Sequence, residues 1–171
     1  MVALDACRIR PMTYADLETV LAWRNHPDIR RCMFTQHEFA LDEHRRWFER
    51  ASRDEAKRLL IVEEQGAAFG YVQFANVASG SISDWGFYAA PDAAAGAGSK
   101  LGAAALDFAF ETLRLHKVCG HALGFNEASI RFHRKLGFRE EGVLREQHRL
   151  GGGYADVLCF GLLQQEWSGI Y

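Results

Sequence analysis

Between Ile82 and Phe138 the chain can follow few courses. ISDWGFYAAP reads as a strand closed by Pro91, and DAAAGAGSKLGAAALDFAFETL as a glycine-bearing turn that opens a helix. KVCGHAL then reads as a buried strand and NEASIRFHRKLGF as a shorter helix. A strand, a helix and a second strand in that order make one crossover with parallel strands at 81–90 and 117–123. The long helix starts at Ser99 or its neighbours, with Leu101, Ala104, Ala105, Phe108 and Leu113 on its inner face. Gly96 and Gly98 precede Ser99 and Lys100 at the first junction. The first amides of a helix lack intrahelical partners, and its dipole adds partial positive charge, so such a junction can hold a phosphate by main chain alone. Gly-x-Gly by itself fits a flexible loop equally well.

The remaining segments divide as cleanly. CRIRPM is a first strand, and Thr13 with Asp16 reads as a capping pair for a helix carrying Leu17, Val20, Leu21 and Trp23, stopped by Asn25 and Pro27. After an irregular apolar stretch, Asp42 can cap a second helix with Leu41, His44, Trp47, Phe48 and Ala51 on one side. RLLIVE and AAFGYVQFANV flank a Gln65-Gly66 turn as a hairpin. Phe138 to Leu150 and Tyr154 to Leu163 are strands joined through Gly151, Gly152 and Gly153. The order is β-α-α-β-β-β-α-β-α-β-β.

With 171 residues, 49% of them hydrophobic, the chain has the size of one domain. Twenty basic residues against twenty-two acidic ones leave no basic field for nucleic acid or an anionic membrane, so the expected partner is small. Cys7, Cys32, Cys119 and Cys159 are far apart and show no zinc spacing, so no metal is expected and reduced thiols fit best. With no apolar signal core and no membrane-length apolar run, a cytoplasmic protein is expected.

The element order, the aromatic-ended strand before the turn, and Asn126, Ala128, Ile130, His133, Lys135, Gly137 and Phe138 resemble the GCN5-related N-acetyltransferase (GNAT) superfamily over nearly the whole chain. The resemblance implies an α+β fold with a mixed central sheet of about seven strands flanked by about four helices, in a single domain over 1–171. It also implies acetyl-CoA as cosubstrate, with its pyrophosphate on the turn at 95–100 and its pantetheine arm beside the strand at 84–89. The cleft would lie between that strand and 117–123. The implied coenzyme residues are Phe87, Tyr88, Gly96, Ala97, Gly98, Ser99, Lys100 and Asn126, and Asn126 can equally serve as a helix cap. Two positions depart from the family pattern. Ala93 stands where Gln or Arg is usual, shifting pyrophosphate binding toward main-chain amides, and His133 stands where many members carry a tyrosine near the coenzyme sulfur. An imidazole there can act as an acid toward the leaving thiolate, or simply fill a helix face. His121 is the candidate base, with a hydrogen-bonded role in the sheet as the alternative.

On the acceptor side, W-R-N-H-P at 23–27, Met33-Phe34, His44 and Trp47-Phe48, with G-F-N-E-A-S-I-R-F-H-R-K-L-G-F at 124–138, resemble the branch that acetylates a UDP-4-amino-sugar on the way to pseudaminic acid in flagellin glycosylation. The resemblance makes Arg24, Met33, Phe34, His44, Trp47 and Trp85 the substrate residues. Acetylation of a ribosomal-protein amino terminus and a non-catalytic acyl-CoA-binding module stay open as alternatives. Polyamine acetylation fits less well, because a polycation calls for carboxylates and the N-terminal half offers arginines. Dimers are common in the superfamily, which leaves a homodimer open.

Overall fold

The computed structural model describes residues 7–169. Its strands are β1 (Arg8–Pro11), β2 (Arg58–Glu64), β3 (Ala67–Ala75), β4 (Ile82–Ala89), β5 (Lys117–Leu123), β6 (Arg139–Leu150) and β7 (Gly153–Leu163). They form one seven-stranded sheet in the order β1-β2-β3-β4-β5-β7-β6. Neighbours pair antiparallel except β4 and β5, which are parallel as their crossover requires. The β2–β3 hairpin turns on Gln65 and Gly66 at φ 52 and 79, the left-handed pair that a two-residue turn of matching twist demands.

The helices are α1 (Leu17–Asn25), α2 (Pro27–Arg30), α3 (Leu41–Ala51), α4 (Ala97–Asp107) and α5 (Glu127–Lys135). Both faces of β2 and β3 are covered, which is why RLLIVE reads as a continuous apolar run rather than an alternating one. On one face Leu59, Ile61 and Tyr71 pack with Val20 and Trp23 of α1 and Phe48 of α3. Leu60, Val62, Val72 and Phe74 point the other way, onto Leu101, Ala105 and Leu106 of α4 and Ile130 of α5. Each such side chain contributes about 1.5–3 kcal/mol on burial.

Three local expectations need correction. Asp42 does not cap α3; it lies inside the first turn, and Glu43 accepts the Ala40 N–H at 3.5 Å instead. The stretch after Asn25 is not wholly irregular, since Pro27 opens the short α2 and His26 Nδ1 accepts the Asp28 N–H at 3.2 Å. Beyond α4 the helix widens into a π turn at Phe108–Thr112, and the extra residue rotates Ala109 and Phe110 fully inward while Phe108 and Leu113 stay half-buried. Asp16 performs the expected task, accepting the Thr13 N–H at 2.8 Å, and Arg10 grips its two oxygens at 2.7 and 2.8 Å. Among the described residues no helix is long and apolar enough to cross a membrane, and the four cysteines are free thiols.

Candidate active site

The sheet comes apart in its middle. β4 and β5 pair only from Ile82–Lys117 to Asp84–Cys119, whereas β4 stays on β3 to Ala89 and β5 stays on β7 to Leu123. The cause is the side chains wedged above the last pair. The Trp85 indole N–H donates to His133 Nε2 at 3.1 Å, and the imidazole lies flat on Phe160 with ring centres 4.8 Å apart. Gly120 faces this pair, and a Cβ there would meet His133 Nε2 at 2.3 Å and Trp85 Nε1 at 2.8 Å. Past Asp84, β4 therefore presents an edge without a strand partner.

At the far end of β4 the chain turns into α4 through Gly96, whose φ of 85 suits only glycine. Gly98 and Ser99 follow in the first turn, where the amides precede any intrahelical acceptor. Lys135, reaching across from α5, places Nζ 2.8 Å from Ser99 Oγ. Lys100 points away, 2.5 Å from Glu64, so its expected place beside the coenzyme is not where its ammonium sits. Asn126 is the cap of α5, its Oδ1 accepting the Ser129 N–H at 3.2 Å. Coenzyme A fits these residues on two counts. A phosphate finds amides, a hydroxyl and the Lys135 cation at the α4 start, and the amide-bearing arm finds an open strand edge to pair with along β4. Ala93, packed on the α1–α3 core, adds no polar group.

His133 is 1% exposed and held on both sides. Since Nε2 accepts from Trp85, Nδ1 carries the proton and donates to the Ser129 carbonyl at 2.8 Å. Burial pushes its pKa down to about 4. Both nitrogens are thus committed, an arrangement that suits a wedge better than the expected proton donor. His121 lies exposed on β5 opposite Cys159. Alternation puts it on the α1–α3 face, since Val118 and Ala122 occupy the other.

On that same face a cavity of about 550 Å³ opens between α1, the segment 31–40, α3 and the strands β3 and β4. Arg24, Met33, His44 and Trp47, four of the residues that the resemblance offers for the acceptor, line it. Arg24 is 8% exposed; its Nη2 donates to the Thr35 carbonyl, its Cζ sits 5.0 Å from the Phe39 ring centre, and Nη1 has no partner among the described residues. Burial lowers its pKa, yet a guanidinium stays charged. His44 stacks on Trp47 with ring centres 5.1 Å apart and leaves Nε2 buried and unpartnered. Burial pulls its pKa down, so it is held neutral.

Three expected placements fail. Phe34 is 38% exposed and turns outward, edge-on to His148, so it does not line the cavity. Trp85 belongs to the α4–α5 face, because odd positions of β4 point there. Tyr88, at an even position, directs its ring into the acceptor cavity instead of toward the coenzyme; Phe87 lies among Trp85, Phe132 and His133. Several lining residues escaped the sequence, among them Tyr71 and Gln73 of β3 and Arg50 of α3, whereas Arg46 stands in the arginine cluster that the sequence offers with Arg24, Arg30, Arg31 and Arg45. The i, i+4 spacing from Arg46 was the one visible signal for Arg50.

An open strand edge leading to a helix start, and a cavity on the other side of the same splayed strand, give room for two substrates. A sequence model of the family described as Acetyltransferase (GNAT) domain matches residues 7–139. The chain belongs to the GNAT acetyltransferase family. Among curated GNAT relatives, the acetyltransferase PseH of Campylobacter jejuni strain 81-176 is 27% identical over 72% of this chain and 76% of that protein. An uncharacterised prophage N-acetyltransferase of Bacillus subtilis, YokL, is 31% identical over 72% and 71%. Among solved structures, spermidine N-acetyltransferase of Vibrio cholerae in complex with CoA and spermine superposes with a TM-score of 0.86 at 26% identity, covering 94% of this chain and 97% of that one. This GNAT chain is an acetyl-CoA-dependent N-acetyltransferase with the expected seven-stranded mixed sheet, five helices in place of about four, and no cluster of metal-ligating side chains among the described residues.

Proposed function

We propose that the chain acetylates the 4-amino group of a UDP-linked amino-sugar, as in the pseudaminic acid pathway of flagellin glycosylation. The observation that carries this is the buried Arg24, whose Nη1 has no partner among the described residues and which lines a cavity with Arg46 and Arg50 and a single carboxylate, Glu43. An unpaired buried cation costs several kcal/mol unless a ligand supplies the anion. A polyamine brings more positive charge and worsens that imbalance, which separates this cavity from the substrate in the Vibrio cholerae complex. A nucleotide-sugar brings phosphates, a flat base for Trp47 and Phe39, and hydroxyls for Nε2 of His44. The similarity to PseH runs in the same direction.

Bound in the fork, acetyl-CoA supplies an acetyl thioester activated toward amines. The residues of β4 align its carbonyl, and the acceptor cavity delivers the amine against the same strand at Gly86 and Phe87. The free amine attacks the carbonyl carbon, the C–S bond breaks, and the proton that the attacking nitrogen then sheds goes to the departing thiolate, so coenzyme A leaves as the thiol. His121, on the acceptor face just past the last β4–β5 pair, takes the ammonium proton and passes it to water. His133 acts in this scheme as a positioning residue.

Thiol release from acetyl-CoA with a UDP-4-amino-sugar, spermidine and a ribosomal-protein amino-terminal peptide, each under identical conditions, tests the assignment. Turnover of the sugar well above the other two is expected. Turnover of spermidine or the peptide alone overturns it, and no release with any amine alongside acetyl-CoA binding would point to a binding module.

A further inference from the structure

Two guanidiniums on the wall of the acceptor cavity have no partner among the described residues. Arg46 and Arg50 stand one turn apart on α3, both exposed and both lining the cavity. Other arginines nearby are engaged: Arg45 with Asp42 at 3.6 Å, Arg30 with Glu38 at 3.3 Å and Arg31 with Asp28 at 3.3 Å. Among the described residues neither Arg46 nor Arg50 has an acceptor. Glu43, the cavity's carboxylate, is drawn instead toward Ala40 N–H and toward His37 at 3.6 Å. Like charges at i and i+4 repel along a helix, so the pair is mildly unfavourable as it stands.

The positions of these groups differ in depth. Arg24 is buried in the cavity wall, with Nη1 unpartnered among the described residues. Arg46 and Arg50 are exposed on either side of Trp47 along α3, where two forked donors would face a ligand laid on the indole. Two adjacent guanidiniums match two adjacent anionic groups better than one, because each fork takes a pair of oxygens.

We propose that Arg46 and Arg50 form a clamp for the diphosphate of a nucleoside-diphosphate acceptor, with its base on Trp47; this rests on the amino-sugar function proposed above. The clamp sets acceptor affinity and leaves the acetyl-CoA site alone, since that site lies on the other side of β4.

The probes are UDP, uridine and inorganic diphosphate, measured by calorimetry and as inhibitors of acetyl transfer to the UDP-4-amino-sugar. UDP and diphosphate are expected to compete with the acceptor and not with acetyl-CoA, and uridine to bind at least ~10-fold more weakly than UDP. In the R46Q/R50Q double variant the UDP affinity is expected to fall ~10- to 100-fold with uridine binding and the KM for acetyl-CoA unchanged, and raised salt should weaken UDP binding less than in the wild type. Equal UDP affinity in wild type and double variant overturns the clamp while leaving the amino-sugar function standing. A wild type that binds no UDP and turns over only another amine removes both together. Unchanged acetyl-CoA binding by the double variant shows that it is folded, so a loss of UDP affinity cannot be attributed to unfolding.

Discussion

Arg24 has two jobs that one substitution can separate. Its Nη2 steadies the Thr35 carbonyl while Nη1, in the wall of the cavity, has no partner among the described residues. Arg24→Gln keeps a donor for Thr35 and removes the charge, so the acceptor KM should rise by about 10- to 100-fold, the worth of a charged hydrogen bond, with the KM for acetyl-CoA unchanged. His133 gives a second test at this scale. Its folded pKa of about 4 lies below the ordinary value of 6.5, so the unfolded chain binds the extra proton first. Stability is then full above pH 6.5 and is lost as pH falls toward 4, by roughly 3 kcal/mol at about 1.4 kcal/mol per pH unit. Urea unfolding at pH 7 and pH 5 should show that loss in the wild type and a smaller one in His133→Phe; equal losses would remove the buried imidazole as the cause. Arg24 could be named from the sequence because W-R-N-H-P at 23–27 belongs to the pattern that resembles the UDP-amino-sugar branch. The side taken by Trp85 was not, because alternation along β4 defines two faces but α5, packed from some fifty residues away in sequence, decides which one is which.

At the level of elements, the wedge between β4 and β5 explains why glycine stands in the middle of a buried strand. Gly120→Ala must displace the imidazole or the indole, so a loss of about 1–3 kcal/mol or more is expected. Gly142→Ala on β6, where an added Cβ meets nothing within 4 Å, should stay within about 1 kcal/mol of wild type by the same denaturation measurement. The outer wall of the acceptor cavity is held from both sides. Asn25 brackets Phe39 through hydrogen bonds of 2.8 and 2.9 Å, and His148 of β6 lies 2.7 Å from the Phe34 carbonyl. That reach depends on a bulge in β6, where Glu146 adopts φ 49 and its N–H donates to Asp156 at 2.8 Å. His148→Ala should raise the acceptor KM several-fold more than it lowers kcat, with His148→Gln recovering much of it through its amide donor; parallel falls in kcat for both would argue against the tie. Strand order and most element limits could be read from apolar periodicity and turn residues. The bulge, the α3 start and the π turn could not, since each answers to a partner outside its own segment.

For the whole molecule, the fork leaves β1 to β4 and β5 to β6 joined in the sheet by three residue pairs and by α4 and α5 beneath them. A ligand lying in the fork ties the two parts together. Acetyl-CoA at about 100 times its Kd should therefore raise stability by about 2.7 kcal/mol, with amide exchange slowed along 85–89 and at the start of α4 and unchanged in β1. The acceptor cavity draws all its wall from Arg24 to Tyr88, whereas the coenzyme side begins at Trp85. Four residues of β4 are the whole overlap. On the function proposed above, the two substrates are held by consecutive stretches of the chain, so substitutions confined to residues 24–73 are expected to change the amine taken and to leave acetyl-CoA binding as it is.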